Sequence, residues 1–145
     1  MADTVRTYDP SEVSVSVGLT PVTGFADGTF VVCEKDADSF SKVVGIDGIV
    51  SRVKTRNRAG SVKITLTQTS PSNDQFSLIA TLDELSNTGI VPISVKDNNG
   101  TSLCTVAWAW VKKIPSLDNG KDLSNREWIF DTADMDLWIG ASNGI

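Results

Sequence analysis

Hydrophobic and polar residues alternate along several short segments of this chain, which is the pattern of β-strands with one buried face. Valine and serine alternate over residues 13–17, and Val62, Ile64 and Leu66 alternate with lysine and threonine. Further strand-like runs cover residues 29–35, 91–96, 101–113, 126–131 and 135–140. The pattern therefore predicts a mainly β protein, with an Asp-Asn-Asn-Gly turn at residues 97–100 joining two of the strands as a hairpin.

The strand over residues 103–111 differs from the others because it is apolar on both faces. Strict alternation places Cys104, Val106, Trp108 and Trp110 on one face, and Leu103, Ala107, Ala109 and Val111 on the other. A strand that is buried on both sides needs a second layer, which here is the helix described next or another subunit.

One segment, residues 72–87, has strong helix signals. Ser72 and Gln75 have the spacing of a capping box, and Asn87 suits the C-terminal end. Apolar residues recur along the segment, and we expect them to form one stripe that packs on the outside of the sheet. The stripe consists of Phe76, Ile79, Leu82 and Leu85, with Leu78 alongside.

A basic stretch interrupts this otherwise acidic chain. Residues 40–63 contain six Lys or Arg and a single acid, Asp47, although the whole chain has a net charge of −5. The pair Asp47-Gly48 lies between two apolar pairs, which is a hairpin signature. The segment has too little apolar surface to pack on its own core along its whole length. We therefore predict that residues 40–60 form a long protruding hairpin, the arm, which a second copy of the chain orders by complementary charge.

Length and composition indicate one domain over residues 1–145, with a polar N-terminal arm at residues 1–11. No run of 18 apolar residues is present, so no membrane-spanning helix and no membrane partner are expected. The N-terminus lacks the pattern of a secretory signal. Cys33 and Cys104 lack the spacing of metal ligands, and we expect two reduced, buried thiols.

Candidate chemistry is sparse. The chain has no histidine, which excludes Ser-His-Asp and Cys-His nucleophile pairs and most catalytic zinc sites. We expect no catalytic residue, metal or cofactor. Two carboxylate pairs remain, and they are interpreted as contacts at subunit edges: Asp36 with Asp38, and Asp134 with Asp136. Two alternatives stay open, a sugar-binding module that uses Trp108 or Trp110, and a hydrolase that uses Asp134 and Asp136.

Four segments occur in an order and spacing that resemble the tail tube proteins of contractile-tailed bacteriophages. The segments are residues 22–30 (VTGFADGTF), residues 45–48 (GIDG) with Ser51-Arg52, residues 64–74 (ITLTQTSPSND) and residues 124–128 (SNREW). The resemblance extends from about residue 8 to residue 140. It implies a β-sandwich or barrel of antiparallel strands with one flanking helix. Inner tubes of bacteriocins and of type VI secretion systems share that architecture and remain alternatives.

The resemblance also implies a function and partners. Six copies would form a ring, and rings would stack into a tube inside a contractile sheath, through which the genome passes without specific binding to DNA. The implied partners are the protein itself and the tail sheath, baseplate and tail terminator proteins, in a virion tail assembled in the host cytoplasm. Contact between rings is then expected from Lys42, Asp47, Arg52, Lys54, Arg56 and Arg58 of the arm.

Overall fold

Antiparallel β-structure dominates the computed structural model of this chain, which describes residues 5–142. One sheet contains eight strands, namely β1 (Val13–Val17), β2 (Thr20–Pro21), β3 (Val31–Lys35), β6 (Gly60–Thr67), β7 (Val91–Asp97), β8 (Leu103–Lys113), β9 (Asn125–Thr132) and β10 (Met135–Trp138). A separate two-stranded sheet consists of β4 (Phe40–Val44) and β5 (Val50–Lys54). The helix α1 (Ser72–Ser86) lies between β6 and β7 in sequence. This confirms the predicted mainly β fold with one helix.

The large sheet curves around a single core. Its strand order is β2-β1-β7-β8-β9-β6-β3, and β10 pairs with β8. The long strand β8 pairs with two different strands along one of its edges. Its first residues pair with β10, and its last residues pair with β9. Val15 and Val17 near one end of this order share one buried cluster with Val62 and Ile64 near the other end. A flat sheet could not bring those strands together, so the sheet curves over on itself around the core.

The helix α1 covers this core through Phe76. The Phe76 ring is fully buried and meets Trp128 and Phe130 of β9 edge-on, with centroid distances of 5.5 and 5.2 Å. The indole nitrogen of Trp128 donates a hydrogen bond to the side-chain oxygen of Asn73, and the side-chain Nε2 of Gln75 donates to the Val17 carbonyl. These contacts fix the first two turns of the helix on the sheet.

The predicted apolar stripe of the helix is wrong at its C-terminal end. An α-helix advances about 100° per residue, so a three-residue step drifts around the axis and carries Leu85 to roughly the opposite side from Phe76. Leu82 and Leu85 are 42% and 78% exposed, and Leu78 is exposed as well. The buried face instead follows steps of four, through Ser72, Phe76 and Ala80. Three leucines therefore face outward.

The predicted alternation along β8 is wrong beyond Val106, because the strand contains a bulge. Val91 of β7 pairs with Ala109, whereas Ile93 pairs with Val106, so β8 has one extra residue there. The extra residue changes which side chains face the core, and Val106 and Ala109 are both buried. Trp108, predicted on the same face as Val106, is 55% exposed.

The start of the helix is stabilised by a neighbouring segment and not by the predicted capping box. The Ser72 hydroxyl accepts a hydrogen bond from the Thr23 amide, and the Ser70 hydroxyl donates to the Thr23 carbonyl. Gly24 permits this approach, since its φ is +76° and a Cβ there would lie 2.5 Å from the Ser70 side chain. Two of the four segments that carry the resemblance therefore meet at this point.

Asp9 and Cys33 both contact residues that are distant in sequence. Residues 1–4 of the predicted N-terminal arm lie outside the described residues. Asp9 exchanges hydrogen bonds with Asn99, which attaches this segment to the turn between β7 and β8. Both cysteines are free. The pKa of Cys33 is raised mainly by its contact with the Cys104 thiol and secondly by its burial. Cys33 therefore stays protonated.

Candidate assembly surface

The arm folds as a hairpin because its turn residues suit a three-residue loop. The amide of Gly45 donates to the Ile49 carbonyl at 2.8 Å, and the amide of Gly48 donates to the Gly45 carbonyl at 2.9 Å. Gly48 has a φ of +84°, the conformation that the third loop position requires and that glycine adopts at least cost. The Asp47 carboxylate accepts from the Ile49 amide and closes the turn. The Asp47-Gly48 signature thus marks the tip of the arm.

The arm projects from the sheet and packs on none of the core. All ten residues of β4 and β5 are exposed, and neither strand pairs with any strand but the other in the part of the chain described. The two strands leave the body together, because the Thr55 amide bonds to the Ser39 carbonyl and the Asp36 amide bonds to the Ala59 carbonyl. The arm is thus an extension with two open faces.

Those two faces have different chemistry. In the register of the hairpin, Phe40 lies opposite Lys54, Lys42 opposite Arg52, and Val44 opposite Val50. Directly opposed residues share a face, and alternate pairs share the same face. One face, the cationic face, therefore holds three basic and three apolar side chains: Phe40, Lys42, Val44, Val50, Arg52 and Lys54. The other face is uncharged and holds Ser41, Val43, Ser51 and Val53.

Within the cationic face, Arg52 lies over the ring of Phe40, with 4.2 Å between the guanidinium carbon and the ring centroid. This distance is typical of a cation–π contact. Among the described residues, Lys42, Arg52 and Lys54 form no ion pair. Their charges therefore remain available to a partner.

Arg58 anchors the base of the arm to the opposite end of the chain. Its Nε donates to the Asp134 carboxylate at 2.6 Å, and its Nη2 donates to the Asp136 carboxylate. These carboxylates raise the pKa of Arg58, with the Asp134 hydrogen bond as the main cause. The Arg58 carbonyl also accepts from the Met135 amide. Two residues after Arg58, Gly60 and Thr132 exchange two buried hydrogen bonds. The direction of the arm is thereby fixed.

The two predicted carboxylate pairs have different surroundings in the structure. Asp134 and Asp136 do point to the same side, but the cation they meet is Arg58 of their own chain. Asp36 and Asp38 lie between β3 and β4, where the chain enters the arm, and they are exposed and without an ion pair among the described residues. A guanidinium that binds both carboxylates of Asp134 and Asp136 gives this pair a structural role within the subunit.

A basic cleft of about 530 Å³ lies at the base of the arm. Its charged lining residues are all cations: Lys35, Lys54, Arg56 and Arg58. The two predicted arm cations outside the cleft, Lys42 and Arg52, lie opposite each other and farther toward the tip. Every basic residue predicted to contact another copy therefore lies in the cleft or on the cationic face. Asp47, the one predicted acid, accepts a hydrogen bond within the turn at the tip of the arm.

Trp108 and Trp110 occupy different environments. Trp108 is exposed, whereas Trp110 is half-buried beside Lys112 and Asp131 in a shallow depression of the sheet. An exposed indole suits a sugar-binding face and suits a contact between subunits equally well. No group of three His, Cys, Asp or Glu residues within residues 5–142 could hold a metal ion. Over the same range, no helix is long and apolar enough to cross a membrane.

Sequence reasoning missed the apolar half of the cationic face and the outward leucines of α1. The register of the arm could have been found, since a loop of Ile46, Asp47 and Gly48 places residues 40, 42 and 44 on one face with residues 50, 52 and 54. The contact of Arg58 with Asp134 joins residues 76 positions apart and has no local signal.

Comparisons with known proteins agree with this architecture. Structural protein ORF10 of Pseudomonas phage KPP10 is 28% identical over an alignment of 153 residues, and the alignment covers all of this chain and 88% of that protein. A chain of the sheath-tube complex of PVC, an extracellular contractile injection system, has a TM-score of 0.61 at 14% identity, with 91% of each chain covered. The PVC sheath/tube terminator has a TM-score of 0.59 at 14% identity and covers 94% of this chain and 100% of its own.

A family model supplies the assignment. The model described as Bacteriophage PhiTE tail tube protein matches residues 11–140, which include the whole sheet, the helix and the arm. This range agrees with the span of the resemblance seen in the sequence. The chain therefore belongs to the PhiTE-type family of bacteriophage tail tube proteins, which are structural components of the virion.

Proposed function

We propose that six copies of this chain form a ring and that the rings stack into a tail tube through which the genome passes during ejection. The observation that carries this proposal is the arm, whose strand residues are all exposed in the single chain. A two-stranded hairpin is only marginally stable in water by itself. A second copy that covers the arm would order it and bury its apolar side chains.

The exposed apolar residues of the arm support an interface between proteins. Val43, Val44, Ile46, Ile49 and Val53 are all more than half exposed. A concentration of apolar surface of this kind is typical of sites that bind another protein. The neighbouring cations make the interface selective, because they favour an acidic partner and this chain is acidic overall. Both features suit self-association.

The remaining partners follow from the place of a tube in a tail. The sheath would surround the tube, the baseplate would adjoin one end, and a tail terminator protein would adjoin the other. The related PVC chains are described as parts of a sheath-tube complex and a sheath/tube terminator. Subunits would assemble in the host cytoplasm before they become part of the virion.

DNA would pass through the tube without specific binding. Phosphates are repelled by an acidic wall, and this chain has a net charge of −5. Purified tubes should therefore retain little duplex DNA at physiological salt. Tight binding with a steep dependence on salt would contradict a repelling lumen and would make Arg52, Lys54, Arg56 and Arg58 a phosphate site.

Removal of the arm tests the assembly proposal. Residues 40–54 are replaced by two glycines, because Ser39 and Thr55 are already hydrogen-bonded neighbours. The variant should keep the unfolding midpoint of the natural chain, since the arm contributes nothing to the core. Negative-stain micrographs should show tubes for the natural chain and none for the variant. Tubes of normal length from the variant would contradict the proposed role of the arm.

A further inference from the structure

We propose that the cationic face of the arm binds the outer face of helix α1 in another copy of the chain. This inference rests on the proposed self-assembly and specifies which two surfaces meet. The outer face of α1 is defined by Asp74, Leu78, Leu82 and Leu85, which follow one another by steps of three or four residues and so form a single stripe. Glu84 flanks the stripe.

The composition of the two surfaces is complementary. The helix stripe has three exposed leucines, and α1 contains three acids and no basic residue. Within residues 5–142, neither Asp74 nor Glu84 forms an ion pair. The cationic face offers three apolar side chains and three cations that form no ion pair among the described residues, although Arg52 also lies over the Phe40 ring. Contact would therefore bury apolar surface and pair opposite charges at the same time.

The dimensions of the two surfaces also agree. A helix rises about 1.5 Å per residue, so the stripe from Asp74 to Leu85 is about 16 Å long. A strand rises about 3.4 Å per residue, so β4 from Phe40 to Val44 is about 14 Å long. The hairpin can therefore lie along most of the stripe.

This contact has to form between copies and not within one chain. The base of the arm is fixed to the segment of Asp134 and Asp136 by Arg58, and all residues of β4 and β5 stay exposed while Leu78, Leu82 and Leu85 stay exposed in the same chain. Two unpartnered surfaces of matching size and opposite charge on one rigid subunit favour a repeating head-to-tail contact, which builds an open-ended assembly.

Charge exchange tests the contact. One variant reverses the helix charges, D74K/E84K, and a second reverses the arm charges, K42E/K54E. Each should fold, as shown by an unchanged far-ultraviolet circular dichroism spectrum, and each alone should reduce the yield of sedimentable tubes at least tenfold. The chain that carries all four substitutions should recover most of the yield, because the charges are complementary again. A helix variant that forms tubes normally, or a fourfold variant that fails to recover, would overturn the proposal.

A matched control separates the helix face from net charge. The variant D118K/D122K changes the net charge by the same amount in the loop before β9, and its yield should stay near that of the natural chain. An equal loss in this control would overturn the specific role of α1. Leu78→Ser removes an exposed leucine without a change of charge and should also weaken the tubes, whereas normal tubes would count against the contact. Failure of the natural chain to form any assembly would instead refute the proposed function itself.

Discussion

At the residue scale, Gly24 and Arg58 each bring together segments that are distant in sequence. Gly24 lets residues 22–30 approach the start of α1, because no Cβ stands between it and Ser70. Arg58 joins the base of the arm to Asp134 and Asp136. Both positions act on geometry: one sets the entry to the helix, and the other sets the direction of the arm.

A pair of glycine substitutions tests the first of these positions. Gly24 and Gly28 both have positive φ, but only Gly24 is crowded, by Ser70, whereas a Cβ at Gly28 would meet nothing within 4 Å. Gly28→Ala should lose roughly 1 kcal/mol through backbone strain alone, and Gly24→Ala should lose clearly more in the free energy of unfolding. Equal losses in urea unfolding would show that the crowding at Gly24 has no energetic weight.

Substitution of Arg58 tests whether this residue sets the direction of the arm. Arg58 is exposed, so Arg58→Gln should leave the unfolding midpoint nearly unchanged. The arm should become mobile at its base, and trypsin should cleave at Arg52 and Lys54 faster than in the natural chain, while tube formation decreases. The variant D134N/D136N should behave in the same way, since it removes the same contact from the other side. Unchanged proteolysis and assembly in both would contradict the anchoring role.

At the scale of elements, the helix α1 has one side in the core and one side open. The step of the apolar residues explains why sequence alone misjudged it, since a repeat of three drifts around the helix whereas the core follows steps of four. Leu78, Leu82 and Leu85 are exposed on the open side, which is the surface proposed to bind the arm of another copy.

Two truncations on the helix distinguish these sides. Phe76→Ala removes a ring packed against Trp128 and Phe130 and should cost about 3–5 kcal/mol of unfolding free energy. Leu82→Ala removes an exposed side chain and should cost about 0.5 kcal/mol or less. Comparable losses in denaturant unfolding would show that Leu82 is part of the core after all.

The elements with clear local signals were predictable, and those that depend on pairing were not. Alternation located β1 and β6, and the turn at Asp47-Gly48 located the arm, because both signals lie within a few residues. The bulge in β8 has no such signal, since it exists only in register with β7. The contact between Arg58 and Asp134 likewise depends on how the curved sheet brings the turn between β9 and β10 to the base of the arm.

At the scale of the whole molecule, the chain is a curved sheet with a fixed arm on one side and an open helix face elsewhere. Within residues 5–142, no other part of the chain covers the arm or the leucines on the open side of α1, and the charges of the two surfaces are opposite. A protein with two such surfaces is expected to bind copies of itself. Because the chain belongs to a family of tail tube proteins, the expected assembly is a tube. The virion tail is where such a structural protein functions.

Negative-stain electron microscopy of the purified natural chain, across a range of protein concentration, tests the central claim most directly. Self-assembly predicts rings with six-fold end views that stack into tubes of uniform diameter as the concentration rises. Featureless monomers at every concentration, with the circular dichroism spectrum of a folded β protein, would contradict it.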